Sequence, residues 1–553
     1  MIWLILRKDL VLLWPLVALS VLAQFGLNAL MFAADHAPES QYLLLSARLF
    51  VLVVFLVICL TISLGVHQDA IPGTRQDWLI RPIQRRDLLL AKLLFVLAAV
   101  QLPMFVADVT EMAVEGLSSN DAVMAALSRN LYVFIVLSLP VLGFAGMTRS
   151  TAQFIGVGIA YFIALAAVTF MLSSVARIAG AEQATNPLAW TGVAWVPQTL
   201  ARLTLSAGAV IAIVLLYMRR RIVLARYLFP MFAVLSALAT LLPWGWIFAV
   251  QEAASVTPAG ISALNISLDP GAPRYQPGPG ENGDDYSVGA AQVQLRGRAA
   301  GDIEVENRSR RAQSYVTVFI PVRIAGLPAG ALPWVDRAAV VLRMPNGRVL
   351  FHGRGDDLKF DTTAGGSSPA LAYEAVRIPG SVFETARNTP LSAQIDYSLS
   401  VLRPRPPVAI AALDAQIQLP GFGQCTTDRD SDGNDVELQC LTAGNAPSCV
   451  CATLEDPATG RRNPPTRLCA PDYSPYDAKL FPDAVSRFRV EIPFRDRLQL
   501  ANYPVAGAQL GRARMLLTRY DASEHVARYL TAAQVHLDAW IANNGTDGGN
   551  QRP

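Results

Sequence analysis

The chain has 553 residues, 52% of them hydrophobic and only 16% charged, with a mean hydropathy of +0.34. That balance excludes a wholly water-soluble protein of this length and places part of the chain in lipid. The net charge of +3 is small, and no basic stripe with interleaved aromatics occurs, so nucleic acid is not an expected partner.

The apolar weight lies before about residue 250. It predicts an α-helical polytopic membrane domain of about six to seven transmembrane helices over residues 1–250. Seven runs, each near the roughly 20 residues that a bilayer needs, fall at 10–32, 43–66, 88–109, 131–148, 152–174, 200–218 and 227–250. Arg7, Lys8 and Asp9 precede the first run, and no small-residue cleavage site follows it, so an uncleaved first helix is expected.

The connections alternate in charge. Asp35, His36 and Glu39 follow the first run, and Arg75, Arg81, Arg85, Arg86 and Lys92 follow the second. A polar loop is expected over 110–130, with Asp108, Glu111, Glu115 and Asp121 set against Arg129. Arg149 sits after the fourth run, and Arg219, Arg220, Arg221 and Arg226 follow the sixth. With the N-terminus in the cytoplasm, every basic connection lies inside and every acidic one outside. Seven spans then put everything after residue 250 outside. A second outer loop, 175–199, carries Trp190, Trp195 and Pro197 as an interfacial belt.

Pro243-Trp244-Gly245-Trp246 closes the last run, and a Pro/Gly-rich linker is expected over 251–288. Residues 289–543 read as a mainly-β, sandwich-like extracytoplasmic domain, from alternating runs such as 315–324 and 393–402 between turn residues. Asp521-Ala-Ser-Glu524 has the form of a capping box, and Val526, Leu530, Ala533, Leu537, Trp540 and Ile541 follow at helical spacing. A C-terminal helix packed on the sandwich is expected there, and a disordered tail over 544–553.

Catalytic patterns are lacking in the sequence. It has no Gly-x-x-x-x-Gly-Lys-Ser/Thr phosphate loop, no Gly-x-Ser-x-Gly elbow and no His-Glu-x-x-His pair. The five histidines, His36, His67, His352, His525 and His536, are scattered. The interiors of the apolar runs read as almost free of ionisable residues, whereas a proton- or sodium-coupled transporter buries carboxylates near mid-membrane. Energy for any transport is therefore expected from another subunit, and no cofactor is expected in the membrane domain.

Two features mark the polar half. Asp428, Asp430, Asp432 and Asn434 alternate around Gly433, with Glu437 beyond, which matches the first half of a calcium loop. Gln439 stands where an EF-hand has its bidentate Glu, so either a structural Ca2+ or a solvated acidic turn fits. Cys425, Cys440, Cys449, Cys451 and Cys469 cluster over 425–469 and suggest disulfides in an oxidising compartment. Cys425 with Cys440, and Cys469 with Cys449 or Cys451, is one arrangement, and it leaves a thiol over; Cys59 lies in an apolar run as a packing residue.

The segment Trp78-Leu-Ile-Arg81-Pro82-Ile-Gln-Arg85-Arg86-Asp87-Leu-Leu-Leu-Ala-Lys92 resembles the stretch between the second and third spans of ABC-2 type transporter permeases, and Arg7-Lys8-Asp9 is similar to that family's N-terminal basic-acidic start. The resemblance covers roughly residues 1–220, and a seventh span and a large outer domain depart from it. It implies the permease subunit of an ATP-driven exporter in the bacterial cytoplasmic membrane. The implied partners are a cytoplasmic ABC ATPase, a second permease subunit (homo- or heterodimer) and the bilayer, with a periplasmic partner for the outer domain. Arg75, Trp78, Arg81, Pro82, Arg85 and Arg86 are the implied ATPase contacts, and the same arginines also serve as plain topology anchors. The alternative is a non-transporting membrane anchor that displays the outer β domain for assembly or signalling.

Overall fold

A computed structural model describes residues 1–36, 41–68, 84–178, 193, 195–219, 221–239, 242–254, 263–275, 315–355, 357–360, 370–429, 435–443, 449–463, 465–469, 485–494, 503–505 and 509–541. The chain divides into two compact units: residues 1–170, 195–243 and 406–519 form the first, and 171–194, 244–405 and 520–553 the second.

The first unit opens with a separate short helix, α1 (Ile2–Leu12), before α2 (Trp14–His36) and α3 (Gln41–His67). α1 buries Ile5, Leu6 and Asp9 and exposes Trp3, Leu4, Val11 and Leu12. An apolar face turned outward in this way suits the lipid interface. α4 (Arg85–Val96) continues through a π-helical turn, Leu97–Gln101, into α5 (Leu102–Val114). α6 (Ser119–Val133) passes through a second such turn, Phe134–Ser138, into α7 (Leu139–Met147). α8 (Thr151–Ile178) has 28 residues; α9 (Trp195–Ile213) and α10 (Ile222–Ala239) follow. Among the described residues six stretches are long and apolar enough to cross a membrane: Trp14–Ala34, Leu45–His67, Arg86–Val114, Ser119–Met147, Trp195–Met218 and Ile222–Ala239. In hydrocarbon each backbone N–H and C=O must find its partner within the segment, which is why apolar runs of this length close as helices.

Two of the three π turns among the described residues, Leu97–Gln101 and Phe134–Ser138, precede a proline, while the third, Val214–Met218 at the end of α9, does not. Pro103 and Pro140 lie inside long helices, where a proline lacks its N–H and presses on the carbonyl four residues back. Widening the preceding turn relieves both problems. Gln101 and Ser138, each two residues before its proline, meet between the helices, Gln101 Nε2 donating to Ser138 Oγ at 2.9 Å.

Residues 110–130 differ from the polar loop expected there. α5 runs on to Val114 and α6 starts at Ser119, leaving only a tight turn. Gly116 takes φ +80°, which lets Leu117 N–H reach back to Met112 O at 3.0 Å. Ser118 Oγ accepts from Asp121 N–H as the N-cap of α6. The expected run 227–250 is also divided: α10 ends at Ala239 and a separate helix, α11 (Trp244–Ala253), begins directly after Pro243. Proline disfavours a helical residue before it and suits a helix start, so the restart falls there.

The strands, in chain order, are β1 (Asn265–Leu268), β2 (Tyr315–Ala325), β3 (Leu332–Arg343), β4 (Val349–Gly355), β5 (Asp357–Phe360), β6 (Ala370–Pro379), β7 (Leu391–Pro404), β8 (Val408–Ala411), β9 (Ala415–Leu419), β10 (Gly423–Arg429), β11 (Asp435–Ala443), β12 (Cys449–Glu455), β13 (Thr466–Cys469), β14 (Val485–Pro493) and β15 (Arg514–Val535). A short helix, α12 (Gly380–Ala386), joins β6 to β7. The helical half and the mainly-β half agree with the fold class read from the sequence.

In the first unit β14-β11-β10-β9 form an antiparallel sheet over Phe422, Leu438, Phe488 and Val490. In the second, β1-β2-β6-β5 form one sheet and β4, β3, β7 and residues 520–535 of β15 belong to another. Val318, Ile320 and Val322 of β2 share one core with Val340, Ile395, Tyr397 and Leu399 of the facing sheet. Alternate residues of each strand point inward, which is the period-2 pattern legible at 315–324 and 393–402.

The stretch expected to form a helix after Asp521 is instead the second half of β15, paired with β7 from Tyr520↔Pro404 to Val535↔Leu391. Helical propensity yields here to a long antiparallel ladder. Glu524, expected to close a capping box, is buried and accepts from Arg403 Nη2 at 2.5 Å. That hydrogen bond, with the charge of Glu524, holds the Arg403 guanidinium above its ordinary pKa. The C-terminal helical element is the 3-10 turn Leu537–Trp540.

Candidate functional site

The two sequence fragments that carry the family resemblance meet in space. Asp9, on α1, and Lys92, on α4, are both buried, and Lys92 Nζ donates to Asp9 Oδ2 at 2.7 Å. The same ammonium donates to Gly65 O, near the end of α3, at 2.6 Å. One lysine thus ties the N-terminal helix, the end of α3 and the start of α4 together. A buried pair of this kind holds its place only when its remaining hydrogen-bonding capacity is met, and the Gly65 carbonyl supplies part of that.

Gly65 is required for the approach. A Cβ there would stand 2.5 Å from the Phe95 ring, which is itself fully buried beside Leu6, Leu13 and Ala99. Two residues on, His67 closes the same end of α3. Its Nε2 lies 3.1 Å from Ala145 O and 3.0 Å from Thr148 Oγ1, and its Nδ1 lies 3.2 Å from Thr151 Oγ1. The turn between α7 and α8, with the exposed Arg149, is thereby fixed to the end of α3.

Of the residues expected to meet an ATPase, Arg75, Trp78, Arg81 and Pro82 lie outside the described residues. Arg85 opens α4, and Arg86 is exposed in its first turn, less than two turns before Lys92.

A second buried ion pair lies in the same bundle, where the residue pattern predicts a polar loop. Asp108 on α5 is fully buried, and its Oδ1 accepts from Arg129 Nη1 on α6 and from Asn28 Nδ2 on α2, the latter at 3.2 Å. Lys92 and Asp108 are 16 residues apart in one span, about 24 Å along a helix axis. The interiors of the spans are therefore not free of ionisable groups. Charge in each of these helices is offset by an opposite charge on a neighbour, and the sequence signal for that was an Asp and an Arg on either side of a Gly-containing turn.

In the second unit, α11 is held to the sheet by polar contacts. Gln251 Nε2 donates to Asp336 Oδ2 at 2.6 Å, Ser398 Oγ donates to Gln251 Oε1 at 2.9 Å, and Ser400 Oγ donates to Asp336 Oδ1 at 2.8 Å. His525 Nδ1 lies 2.8 Å from Ser400 Oγ. Serine, histidine and aspartate meet here, but Ser400 stands between the other two and is buried, so the group lacks an exposed nucleophile.

For the metal expectation, Asp428 and Glu437 are opposite one another next to the turn end of the β10–β11 ladder, while Asp430, Asp432 and Asn434 lie outside the described residues. Glu437 is already engaged by Arg489 Nε at 2.8 Å. Among the described residues no three His, Cys, Asp or Glu converge as metal ligands. The cysteine expectation holds in part: Cys425 and Cys440 are directly opposite across β10–β11 and form a disulfide. Cys449 is also disulfide-bonded, and the β12–β13 ladder places it opposite Cys469. Cys451 is half-buried on β12, and Cys59 is buried in α3.

Comparison with known proteins finds no matching family model, no similar curated protein and no similar solved structure.

Proposed function

We propose that the chain is the membrane-spanning permease subunit of an ATP-driven ABC-2 type exporter, working with a separate ATPase and a second permease subunit in the bacterial cytoplasmic membrane. The observation that carries this reading is the Asp9–Lys92–Gly65 knot. It joins α1, α3 and α4 at the two ends of the basic segment that resembles the family's docking stretch. A push delivered to α4 would then be passed to α1 and α3 as well. The buried pair also gives Asp9 and Lys92 a shared physical role in the two fragments that resemble the family.

The same bundle supports a cytoplasmic N-terminus. Met112, Leu117, Ala122 and Ala126, around the α5–α6 turn, pack with Val485 of the β14-β11-β10-β9 sheet. That sheet therefore shares a side with the acidic turn, opposite the Lys92 end of the span, which suits a cytoplasmic N-terminus and an outer β region. A structural Ca2+ would bind at the acidic hairpin between Asp428 and Glu437. A melting temperature indifferent to Ca2+ against EDTA would remove that part of the reading.

The test is purification of the full chain in mild detergent with identification of co-purifying proteins. A phosphate-loop ATPase in stoichiometric amount, lost on combining Arg81→Glu with Arg85→Glu, is the expected result. A preparation with only outer-compartment proteins bound would overturn it in favour of the display anchor. The attachment of α11 to its sheet through Gln251 supports that second reading, because it ends the helical region on the displayed domain.

A further inference from the structure

Beneath the Asp108–Arg129 pair lies a cavity of about 10 Å³, lined by Gln24, Asn28, Ile58, Met104, Asp108 and Arg129 among others. Two of these side chains bring an acceptor that the protein leaves unused. Gln24 is buried, and its Nε2 donates to Ser20 Oγ and Val100 O, both at 3.3 Å, while its Oε1 accepts nothing from the protein. Asp108 is fully buried and uses Oδ1 for Arg129 and Asn28, while its Oδ2 accepts nothing from the protein. A buried acceptor left without a donor costs about 1–3 kcal/mol, more if charged. Two in one cavity point to a shared donor.

We propose that this cavity binds one water molecule, which donates one hydrogen bond to Asp108 Oδ2 and the other to Gln24 Oε1. Size and chemistry agree on this ligand. About 10–15 Å³ is the least space that a water occupies, and a water needs two to four polar partners to stay buried. A metal cation is a poorer match, because Arg129 already neutralises Asp108 and would repel it. An apolar occupant would leave both oxygens unpaired. The water makes one network of α2, α5 and α6, in which the second oxygen of Asp108 is solvated although the carboxylate is far from bulk solvent.

Met104 and Met112 provide the test, since both are buried on α5 but only Met104 lines the cavity. Brief X-ray irradiation of the full chain in detergent converts bound water to hydroxyl radical, which oxidises an adjacent thioether. Mass spectrometry should find Met104 oxidised roughly tenfold faster than Met112, because a buried water is fixed at the first site and none at the second. Gln24→Met removes one acceptor and fills the space, and should lower the Met104 rate to that of Met112. Equal rates for the two methionines in the unsubstituted protein overturn the proposal without reference to any variant. A Met104 rate unchanged in a folded Gln24→Met protein, judged by its melting curve, overturns the assignment of Gln24.

Discussion

Lys92 and Asp9, 83 residues apart in sequence, form a buried ion pair at 2.7 Å that closes one end of the helical bundle. Its energetics are asymmetric. Removing Asp9 leaves the buried Lys92 ammonium uncompensated, whereas removing Lys92 leaves Asp9 with the exposed Lys8, whose Nζ lies 3.5 Å from Asp9 Oδ1, and removing both removes the desolvation cost as well.

Asp9→Leu alone should therefore destabilise the protein by about 3–5 kcal/mol, while Asp9→Leu combined with Lys92→Met should recover most of that loss. Melting in detergent of the two single variants and the double variant measures the coupling. Additive losses would show that the two side chains do not act as a pair.

Gly65 admits the Phe95 ring at a distance that no side chain allows. Gly65→Ala should cost about 1–3 kcal/mol through forced repacking, and Phe95→Leu in the same chain should return part of it. A melting temperature unmoved by Gly65→Ala would mean that α3 and α4 separate more readily than their packing implies.

The Cys425–Cys440 bridge closes 15 residues of chain. Cross-linking a loop of that length restricts the unfolded chain by about 3 kcal/mol, so Cys425→Ala with Cys440→Ala should lower stability by about that much. Protease susceptibility of the β10–β11 hairpin, with and without reductant, provides the measurement. Equal susceptibility of the oxidised and reduced protein would count against the bridge.

Asp456 gives a pH dependence with a definite sign. Burial pushes its carboxyl up, but hydrogen bonds from Ala458 N–H, Thr459 Oγ1 and Arg512, with the charge of Arg512, bring it below its ordinary value of 3.8. A carboxyl depressed on folding contributes stability above its unfolded pKa and loses it as pH falls through the folded one. Asp456→Asn should therefore lower the melting temperature at neutral pH, and should flatten the acid limb below 3.8. An acid limb of unchanged steepness in the variant would assign that limb to other carboxyls.

Much of the architecture was legible in the residue pattern. Long Leu-, Val- and Ala-rich runs mark the helices because length and apolarity alone decide whether a segment can cross hydrocarbon. Alternation at 315–324 and 393–402 marks β2 and β7, although residues 316–322 and 397–402 are buried on both faces. The cysteine cluster marks disulfides in the sequence, but Cys425 with Cys440 is only one of its arrangements, and the β10–β11 ladder selects it. The runs and the alternation are local properties, set by the chain's own period and by its solvent.

What tertiary structure alone decided are the pairings between distant residues. Asp108 reads as the edge of an acidic loop until Arg129 is seen to return against it across the α5–α6 turn. Asp521-Ala-Ser-Glu524 reads as a helix start until β7 is present to pair with it and Arg403 is present to take Glu524. Lys92 reads as one more cytoplasmic cation until Asp9 and the Gly65 carbonyl enclose it. In each case a local preference worth a fraction of a kcal/mol per residue is outweighed by one that the fold supplies from elsewhere, a ladder of hydrogen bonds or an opposite charge in a place without water.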